Sequence, residues 1–169
     1  NTEEFVVTND FKIEKKNVNV SQAILRIFIE PLSNVVDNFA RSKQSGNNAT
    51  RIEITIDEKT GETTFWNDGD VIPITIHPTE KCYNHSLIFG QLLTSSNYND
   101  DEDRIDISGK NGIGIKATGI FSKKITVEGV DPVNGKSFTQ TWTNNLKETS
   151  KPKVLSSKLK KGYTKVSYI

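Results

Sequence analysis

A glycine-rich segment in the second half of the chain constrains the fold more than any other feature. It reads Gly109-Lys110-Asn111-Gly112-Ile113-Gly114-Ile115-Lys116, and a helix is predicted directly after it. The polar and acidic stretch 94–110, which leads into this segment and includes its first two residues, shows no strand periodicity. A P-loop would carry Gly-Lys-Ser/Thr after a strand, and a dinucleotide-binding βαβ unit would also need that strand. The sequence therefore argues against both folds.

The strands and helices are segregated along the chain rather than alternating. A long helix is predicted from Asn19 or Ser21 to about Ser42, because apolar residues recur there at helical spacing. Short helices are predicted at 86–89 and 113–121, strands at 51–57, 62–66, 124–128, 137–142 and 163–169, and at most a weak edge strand within 5–19. This order favours an α+β fold, a two-layer sandwich with a mixed, mostly antiparallel sheet and helices on one face.

Composition narrows the class of protein. The 169 residues suit a single domain, and 22 basic against 21 acidic residues give no charge argument for a nucleic-acid or membrane partner. A single cysteine, Cys82, and two isolated histidines exclude a disulfide framework and a zinc cluster. The low cysteine content favours a reducing intracellular compartment, and no apolar run is long enough to span a membrane. The absence of methionine predicts a piece excised from a larger protein.

One face of the long helix carries residues suited to chemistry. Glu30, Asn34, Asp37 and Asn38 fall opposite the apolar stripe formed by Leu25, Phe28, Ile29, Leu32, Val35, Val36 and Phe39. A carboxylate can orient a water as a general base, and an amide oxygen is a ligand that Mg²⁺ accepts. A solvated helix face explains the same four residues, so this pattern alone does not decide between the two interpretations.

Two further segments complement that helix face. Asn67, which follows a predicted strand, offers both a donor and an acceptor, as the edge of adenine does, although an ordinary turn has the same composition. The backbone N–H groups of 109–116 can surround phosphates at the start of a helix, and Lys116 adds a positive charge. A flexible hinge would explain the glycines but not the helix that follows them.

A resemblance to a known family rests on the residues between these segments. The stretch reads Leu87-Ile88-Phe89-Gly90-Gln91-Leu92-Leu93-Thr94-Ser95-Ser96-Asn97-Tyr98, and an acidic run and the glycine segment follow it. This order resembles the ATPase domain of eukaryotic-type type IIA DNA topoisomerases, in the GHKL superfamily. Residues 120–122, 140–142 and 163–166 are similar to the same family. The resemblance extends from about Asn19 to the last residue.

The resemblance implies a role for each matching residue. It makes Glu30 the general base, Asn34 the contact to Mg²⁺ and phosphate, and Asn67 the adenine contact. It assigns nucleoside contacts to Ser95, Ser96 and Asn97. Phosphate contacts are implied for Gly109, Lys110, Asn111, Gly112, Ile113, Gly114, Ile115 and Lys116. The cofactors implied are ATP and Mg²⁺.

The resemblance also implies what the larger protein does. ATP would close a gate in a homodimer while one DNA duplex passes through another, in the nucleus if the source is a cell; a viral source fits equally well. The chain would be its ATP-binding domain, with the transducer and DNA-cleavage domains absent. The family's γ-phosphate lysine lies in a Gln-x-Lys element of the next domain, which this sequence lacks. The chain alone is therefore expected to hydrolyse ATP slowly or not at all.

Three residues depart from the family pattern, of which Ser108, in place of a glycine before the phosphate loop, is the mildest change. Pro31 follows the implied base inside the long helix, and a proline there predicts a bend. Val71 stands where the family has a glycine, which predicts either a negative φ or a strained turn. The departures at Pro31 and Val71 favour an alternative function, a nucleotide-binding switch module that binds ATP without competent hydrolysis.

Overall fold

The structure, a computed structural model, describes residues 2–90 and 114–169 of the chain. Its helices are α1 (Gln22–Gln44), α2 (Asn84–Gly90) and α3 (Gly114–Ile120). Its strands are β1 (Thr2–Val7), β2 (Ile13–Val18), β3 (Ile52–Ile56), β4 (Thr63–Asn67), β5 (Lys124–Asp131), β6 (Lys136–Thr143), β7 (Glu148–Thr149), β8 (Lys153–Ser156) and β9 (Tyr163–Tyr168). No helix in the two described ranges has the length and apolar character that a membrane crossing needs.

A seven-stranded sheet forms one layer of the domain. Its order is β3-β4-β9-β5-β6-β7, with β8 also paired to β6, and each of these pairings is antiparallel. The helices lie on one face, where the core contains Val35, Phe65, Phe89, Ile115, Ile125, Val127, Trp142, Val166 and Tyr168. The predicted α+β sandwich with helices on one face is confirmed.

The two predicted hairpins form around glycines with positive φ. Between β3 and β4, Gly61 has φ +76° and donates its N–H to the Asp57 carbonyl at 2.7 Å. Between β5 and β6, Gly135 has φ +61°. A residue without Cβ adopts this conformation at no steric cost, so both turns follow from local sequence.

The N-terminal segment differs from its prediction. Residues 2–18 form a hairpin of their own, β1–β2, instead of a weak edge strand of the main sheet. Its apolar side chains are exposed, 74% for Phe5 and 90% for Phe11. Strands β7 and β8 were also not predicted. Each is short, and β8 joins the sheet only through its pairing with β6.

Strand β3 has the predicted bounds but not the predicted burial. Its alternating sequence predicts a half-buried strand, yet Ile54 is 43% and Ile56 58% exposed. Ile52 alone packs against the core. Because β3 is the edge strand of the sheet, the helices do not cover its far end.

Helix α1 has the predicted bounds, but it is rotated relative to the predicted orientation. Its fully buried residues are Pro31, Val35 and Ser42, and Asn34 and Asn38 beside them are half-buried. Leu25, Ile29 and Val36 of the apolar stripe are exposed. The prediction that Glu30, Asn34 and Asn38 lie opposite the buried face is therefore wrong. Asp37 alone of that group is exposed, as predicted.

Pro31 lies inside α1, and the helix continues past it. The proline has no N–H to donate to the Ile27 carbonyl one turn earlier. That carbonyl instead accepts a hydrogen bond from Thr118 Oγ1 of α3 at 3.0 Å. A side chain of a neighbouring helix thus replaces the missing helical donor, which explains how a buried proline is accommodated.

Candidate nucleotide-binding site

A cavity lies between α1 and the inner face of the sheet. Its apolar wall includes Val35, Phe65, Phe89, Ile115 and Val166 of the core. Its polar wall includes Asn34, Asn38, Asn67, Asp70 and Thr164. A mostly apolar cavity with a few convergent polar groups is typical of a small-molecule site. The structure thus brings the predicted residues Asn34, Asn67 and Ile115 to one cavity.

The polar groups of α1 form a single row. Glu30, Asn34, Asn38 and Ser42 are four residues apart, so each lies about one turn and ~6 Å beyond the last. The row leads from Glu30, next to α3, to Ser42, next to the turn after β4. It is long enough for an extended nucleotide to lie along it.

Glu30 is held at one end of this row. Its Oε1 lies 2.8 Å from Arg26 Nε in an i,i+4 ion pair, and its side chain is only 22% exposed. Gly114 lies so close that a Cβ at that position would overlap the Glu30 carboxylate. The glycine that begins α3 is therefore what allows the carboxylate to lie against this helix.

Asn67 is fixed at the other end of the row. It is buried, and its Oδ1 accepts hydrogen bonds from Asn38 Nδ2 at 2.8 Å and from the Gly69 N–H at 3.1 Å. Ser42 Oγ accepts the Asp70 N–H at 2.6 Å. These bonds attach the turn 67–70 to α1.

Asp68 fastens the same turn from its other side. Its carboxylate accepts the N–H groups of Thr50 and Arg51, each at 2.9 Å, and forms an ion pair with Lys161. Burial alone would raise the pKa of this carboxyl, but the hydrogen bonds from Arg51, Lys161 and Thr50 outweigh it. They hold the pKa of Asp68 well below its usual range. The family resemblance gave no role to Asp68, whose contacts here are structural.

The turn accepts Val71 without backbone strain. The described non-glycine residues with positive φ are Phe11, Lys81, Asn144, Asn145 and Leu146, so Val71 has a negative φ. The prediction of a negative φ at Val71 is confirmed. Its side chain packs against Gly162, where an added Cβ would overlap it.

Lys116 lies in α3 next to the cavity wall but is not part of it. It is 9% exposed, and burial lowers the pKa of its ammonium group. No residue in the described ranges forms an ion pair or hydrogen bond with this ammonium group. A buried ammonium without a carboxylate partner fits an anion as its neighbour.

The remaining predicted contacts lie outside the described residues: Ser95, Ser96, Asn97, Gly109, Lys110, Asn111, Gly112 and Ile113. The described part contains no group of three or more His, Cys, Asp or Glu side chains that could hold a metal ion. A metal ion bound at the Asn34 amide would therefore take the rest of its coordination shell from ligand phosphates or water.

Comparisons with known proteins identify the family. DNA topoisomerase 2 of Invertebrate iridescent virus 6 is 50% identical over 175 residues, which cover 98% of this chain and 15% of that protein. The Candida glabrata enzyme of the same name is 44% identical over 153 residues, 90% of this chain and 10% of that protein. The solved ATPase region of Saccharomyces cerevisiae topoisomerase II matches with a TM-score of 0.84 at 36% identity, over 99% of this chain and 43% of that one.

The chain belongs to the ATPase domain family of type IIA DNA topoisomerases. No family model matches it. It spans about a sixth or less of the length of the curated topoisomerases it matches.

In this topoisomerase ATPase domain, two residues of the polar row on α1 have no assigned role in the sequence analysis. Asn38 is there only one of four polar residues on a helix face, and Ser42 is only the predicted end of the helix. Both continue the four-residue spacing of Glu30 and Asn34, and that spacing is the signal that could have identified them.

Proposed function

We propose that the chain binds Mg²⁺–ATP in the cavity between α1 and the sheet and supplies the hydrolytic base of a type IIA DNA topoisomerase. The observation that carries the proposal is the α1 row, with Glu30 at the end next to α3 and Asn67 fixed at the other. The family membership gives this row its meaning, because the resemblance assigns the γ-phosphate to one end and adenine to the other.

Each described residue then has a distinct task. Glu30, oriented by Arg26, directs a water at the γ-phosphate and accepts its proton as the new oxygen–phosphorus bond forms, while the bond from the γ-phosphorus to the bridging oxygen breaks and ADP leaves. The ammonium group of Lys116 offsets negative charge on the phosphates. Burial lowers the pKa of this group. Asn67 contacts the base. The apolar wall around Val35 and Phe65 excludes water from the rest of the ligand.

Asn34 offers an oxygen that can bind Mg²⁺. Asn34 is half-buried on the cavity wall, and no described residue hydrogen-bonds to its amide, so the amide oxygen can ligate the ion. When bound, Mg²⁺ neutralises phosphate charge. Asn34 is one turn from Glu30 and would therefore hold the Mg²⁺ ion close to the base.

Calorimetry tests the binding step. The chain is titrated with ATP, ADP and a non-hydrolysable analogue, with and without magnesium, and Asn34→Ala and Asp37→Asn serve as site and control variants. We expect binding that requires magnesium, is weakened by Asn34→Ala and is unchanged by Asp37→Asn, which is exposed on the same helix. Absence of binding at millimolar Mg²⁺–nucleotide would refute the proposal.

We propose that the whole protein acts as a homodimer on duplex DNA, in the nucleus if its source is a cell. The exposed apolar surface of β1–β2 supports dimerisation, because a two-stranded hairpin is marginally stable alone and Phe5 and Phe11 have no cover here. Sedimentation of the whole protein with Phe5→Ser and Phe11→Ser tests this. We expect fewer dimers, and an unchanged dimer would refute the use of this hairpin as an interface.

The alternative of an ATP-binding module without hydrolysis has no observation in its favour. It depended on Pro31 and Val71. Thr118 satisfies the carbonyl that Pro31 leaves without a donor, and Val71 has an ordinary negative φ. Neither departure disturbs the described part of the site.

A further inference from the structure

The positive charge of the chain is concentrated in residues 150–169. This segment contains six lysines and no aspartate or glutamate, whereas the whole chain has a formal net charge of only +1. The residues before it therefore carry a net charge of −5. The near balance of acids and bases over the whole chain hides this asymmetry, which favours an anionic partner for the segment.

Four of these lysines have no carboxylate partner. Lys161 forms an ion pair with Asp68, and Lys165 forms one with Glu128 at 3.0 Å. The other four are exposed, and none of them forms an ion pair with a residue in the described ranges. They are Lys151, Lys153, Lys158 and Lys160, and together they are called the basic edge below.

The loop between β8 and β9 crosses one end of the sheet. Ser157, its first residue, donates its N–H at 2.8 Å to a carbonyl of the turn between β5 and β6. Near the other end of the loop, Lys161 Nζ donates to Thr50 Oγ1 at 2.9 Å, just before β3. From β6 to β3 the sheet has four strand spacings, so the loop with the Lys161 side chain spans about 19 Å. Lys158 and Lys160 lie between these two anchors.

The other two lysines continue the charge along the side of the sheet. Among the described strands β8 pairs only with β6, so its second edge is open. Lys153 lies opposite Thr139, an exposed residue of β6, and therefore points to the face away from the helices. Lys151 lies just before β8. The basic edge thus follows the side of the sheet and then its end.

Two carboxylates at this end of the sheet are used within the fold. Asp68 and Asp131 are only 3% and 1% exposed. Asp68 is paired with Lys161, and Asp131 accepts hydrogen bonds from three backbone N–H groups. Neither carboxylate therefore competes for the lysines of the basic edge.

The aromatic residues nearby do not form an open platform for unpaired bases. Arg51 covers the Trp66 ring, with its Cζ 4.7 Å from the ring centroid, and Tyr163 packs beside that ring with centroids 5.8 Å apart. Single-stranded nucleic acid is typically bound by stacking its bases on exposed aromatic rings. Lysines without such rings suit the phosphates of a duplex.

We propose that the basic edge contacts the phosphate backbone of duplex DNA without reading its sequence. The inference rests on the proposed action of the whole protein on DNA, and it assigns a surface of this domain to that partner. A lysine ammonium group is a point charge that can meet any phosphate. A stretch of about 19 Å along a duplex holds about five or six base pairs, so the β8–β9 loop can meet several phosphates.

The salt dependence of DNA binding by the chain tests this. A labelled duplex of about 20 base pairs is titrated between about 50 and 200 mM salt, with fluorescence anisotropy as the readout. Each phosphate contact contributes about −0.9 to the slope of log K against log salt, so four contacts predict about −3.6. Lys158→Ala together with Lys160→Ala should weaken binding and bring the slope to about −1.8. Absence of binding at the lowest salt, or a slope unchanged by the two substitutions, would overturn the inference.

Lys59→Ala together with Lys124→Ala is the matched control, because both lysines are exposed at the opposite end of the sheet. This variant loses the same charge and should keep the slope of the wild type. An equal loss in the control variant would show attraction by net charge alone, and the basic edge would not be a site.

Polyglutamate tests an acidic protein segment as the partner instead. It is competed against the labelled duplex at the same concentration of charge as unlabelled duplex. We expect polyglutamate to compete poorly, because its charges do not have the spacing of a duplex. Competition equal to that of the unlabelled duplex would overturn the assignment to DNA.

Two further measurements separate this inference from the proposed function. Lys161 is left unchanged, because its ion pair with Asp68 fastens the turn of the nucleotide site. Thermal unfolding and Mg²⁺–ATP titration should therefore agree between the wild type and the variant that carries Lys158→Ala and Lys160→Ala. The whole protein is also assayed on supercoiled DNA. Failure to change DNA topology would refute the proposed function, whereas a change of topology together with unaltered DNA binding by the variant would overturn only the role of the basic edge.

Discussion

At the scale of single residues, Glu30 combines a fixed carboxylate with limited exposure. Arg26 holds one oxygen at 2.8 Å, and Gly114 lies against the carboxylate on the side of α3. A base in this position needs no rearrangement of α1 to meet a ligand that lies along the helix. The role of Glu30 can be tested with Glu30→Gln, because the glutamine amide has the same shape as the carboxylate.

Glu30→Gln in the whole protein should preserve nucleotide affinity and reduce ATP hydrolysis by about 10²–10⁴-fold, since it removes the proton acceptor but little ground-state contact. Steady-state ATPase rates and nucleotide titration measure the two effects separately. Asp37→Asn, the same chemical change on the exposed side of α1, should have no effect. Hydrolysis at the parental rate by Glu30→Gln would remove Glu30 from the mechanism.

His85 is a second residue with a distinct prediction. It is 1% exposed, its ring stacks on Phe138 at 4.5 Å, and its Nδ1 has no hydrogen-bond partner. Burial lowers the pKa of His85 from 6.5 to about 4, against the opposing influence of Asp131. The unfolded chain therefore binds more protons than the folded chain between these two values.

The free energy of unfolding should carry the full His85 contribution above about pH 6.5 and lose up to ~3 kcal/mol of it as the pH falls to about 4. Urea unfolding across this range measures the loss, and His85→Phe should flatten it. His77→Phe, in the loop before α2, is the control. An equal pH dependence in the wild type and His85→Phe would contradict the assignment.

At the scale of elements, α1 and α3 are joined where α1 lacks a backbone hydrogen bond. Thr118 Oγ1 donates to the Ile27 carbonyl, which Pro31 leaves without its helical donor. Glu30 and Gly114 meet along the same helix–helix contact. Because α3 packs here, it stabilises the turn of α1 that contains Pro31. The same contact places α3, which begins within the glycine segment, next to Glu30. A bend of α1 at Pro31 stays a prediction.

A double-mutant cycle measures how far the Thr118 hydroxyl replaces the N–H that Pro31 lacks as the donor to the Ile27 carbonyl. Thr118→Val should cost about 1–2 kcal/mol of unfolding free energy, because it leaves a buried carbonyl without a donor. In a Pro31→Ala background the cost should be smaller, since the N–H of residue 31 becomes available to the same carbonyl. Denaturant unfolding of the four proteins gives both values. Equal costs in the two backgrounds would show that Thr118 acts independently of Pro31.

At the scale of the whole molecule, the described residues supply a proposed base, a proposed amide ligand for the metal and a proposed adenine contact. The sequence contains no Gln-x-Lys element, and the family resemblance implies that such an element in another domain would supply a lysine to the γ-phosphate. We therefore expect the chain alone to bind the nucleotide, and only the whole protein to hydrolyse it efficiently.

The chain alone should bind Mg²⁺–ATP but hydrolyse it at least about 10²-fold more slowly than the whole protein, by analogy with the loss of one electrostatic contact to the transition state. Single-turnover assays at saturating nucleotide measure the difference, with Glu30→Gln as the background control. Robust turnover by the chain, abolished by Glu30→Gln, would show that the site needs no lysine from another domain.

The sequence by itself determined the features that depend on neighbouring residues. Helical spacing gave the bounds of α1, and alternation with a glycine turn gave the β3–β4 and β5–β6 hairpins. The block 87–98 indicated the family, because the residue order at 94–98 is specific to it, whereas the glycine segment alone indicated only the superfamily. Periodicity and turn chemistry act over a few residues, so they can be read without knowing the fold.

Only the tertiary structure decided which way these elements face. The bond from Asn38 to Asn67 joins residues 29 apart in sequence, and that from Thr118 to Ile27 joins residues 91 apart. β9, the last strand, lies between β4 and β5, and this position creates the inner face against which Asn34 and Asn38 turn. Apolar spacing predicted that Glu30, Asn34 and Asn38 point away from this face, although Phe28, Leu32 and Val35 of the apolar stripe do pack against the core. It counts hydrophobic residues, whereas the folded helix buries polar groups whose partners come from distant parts of the chain.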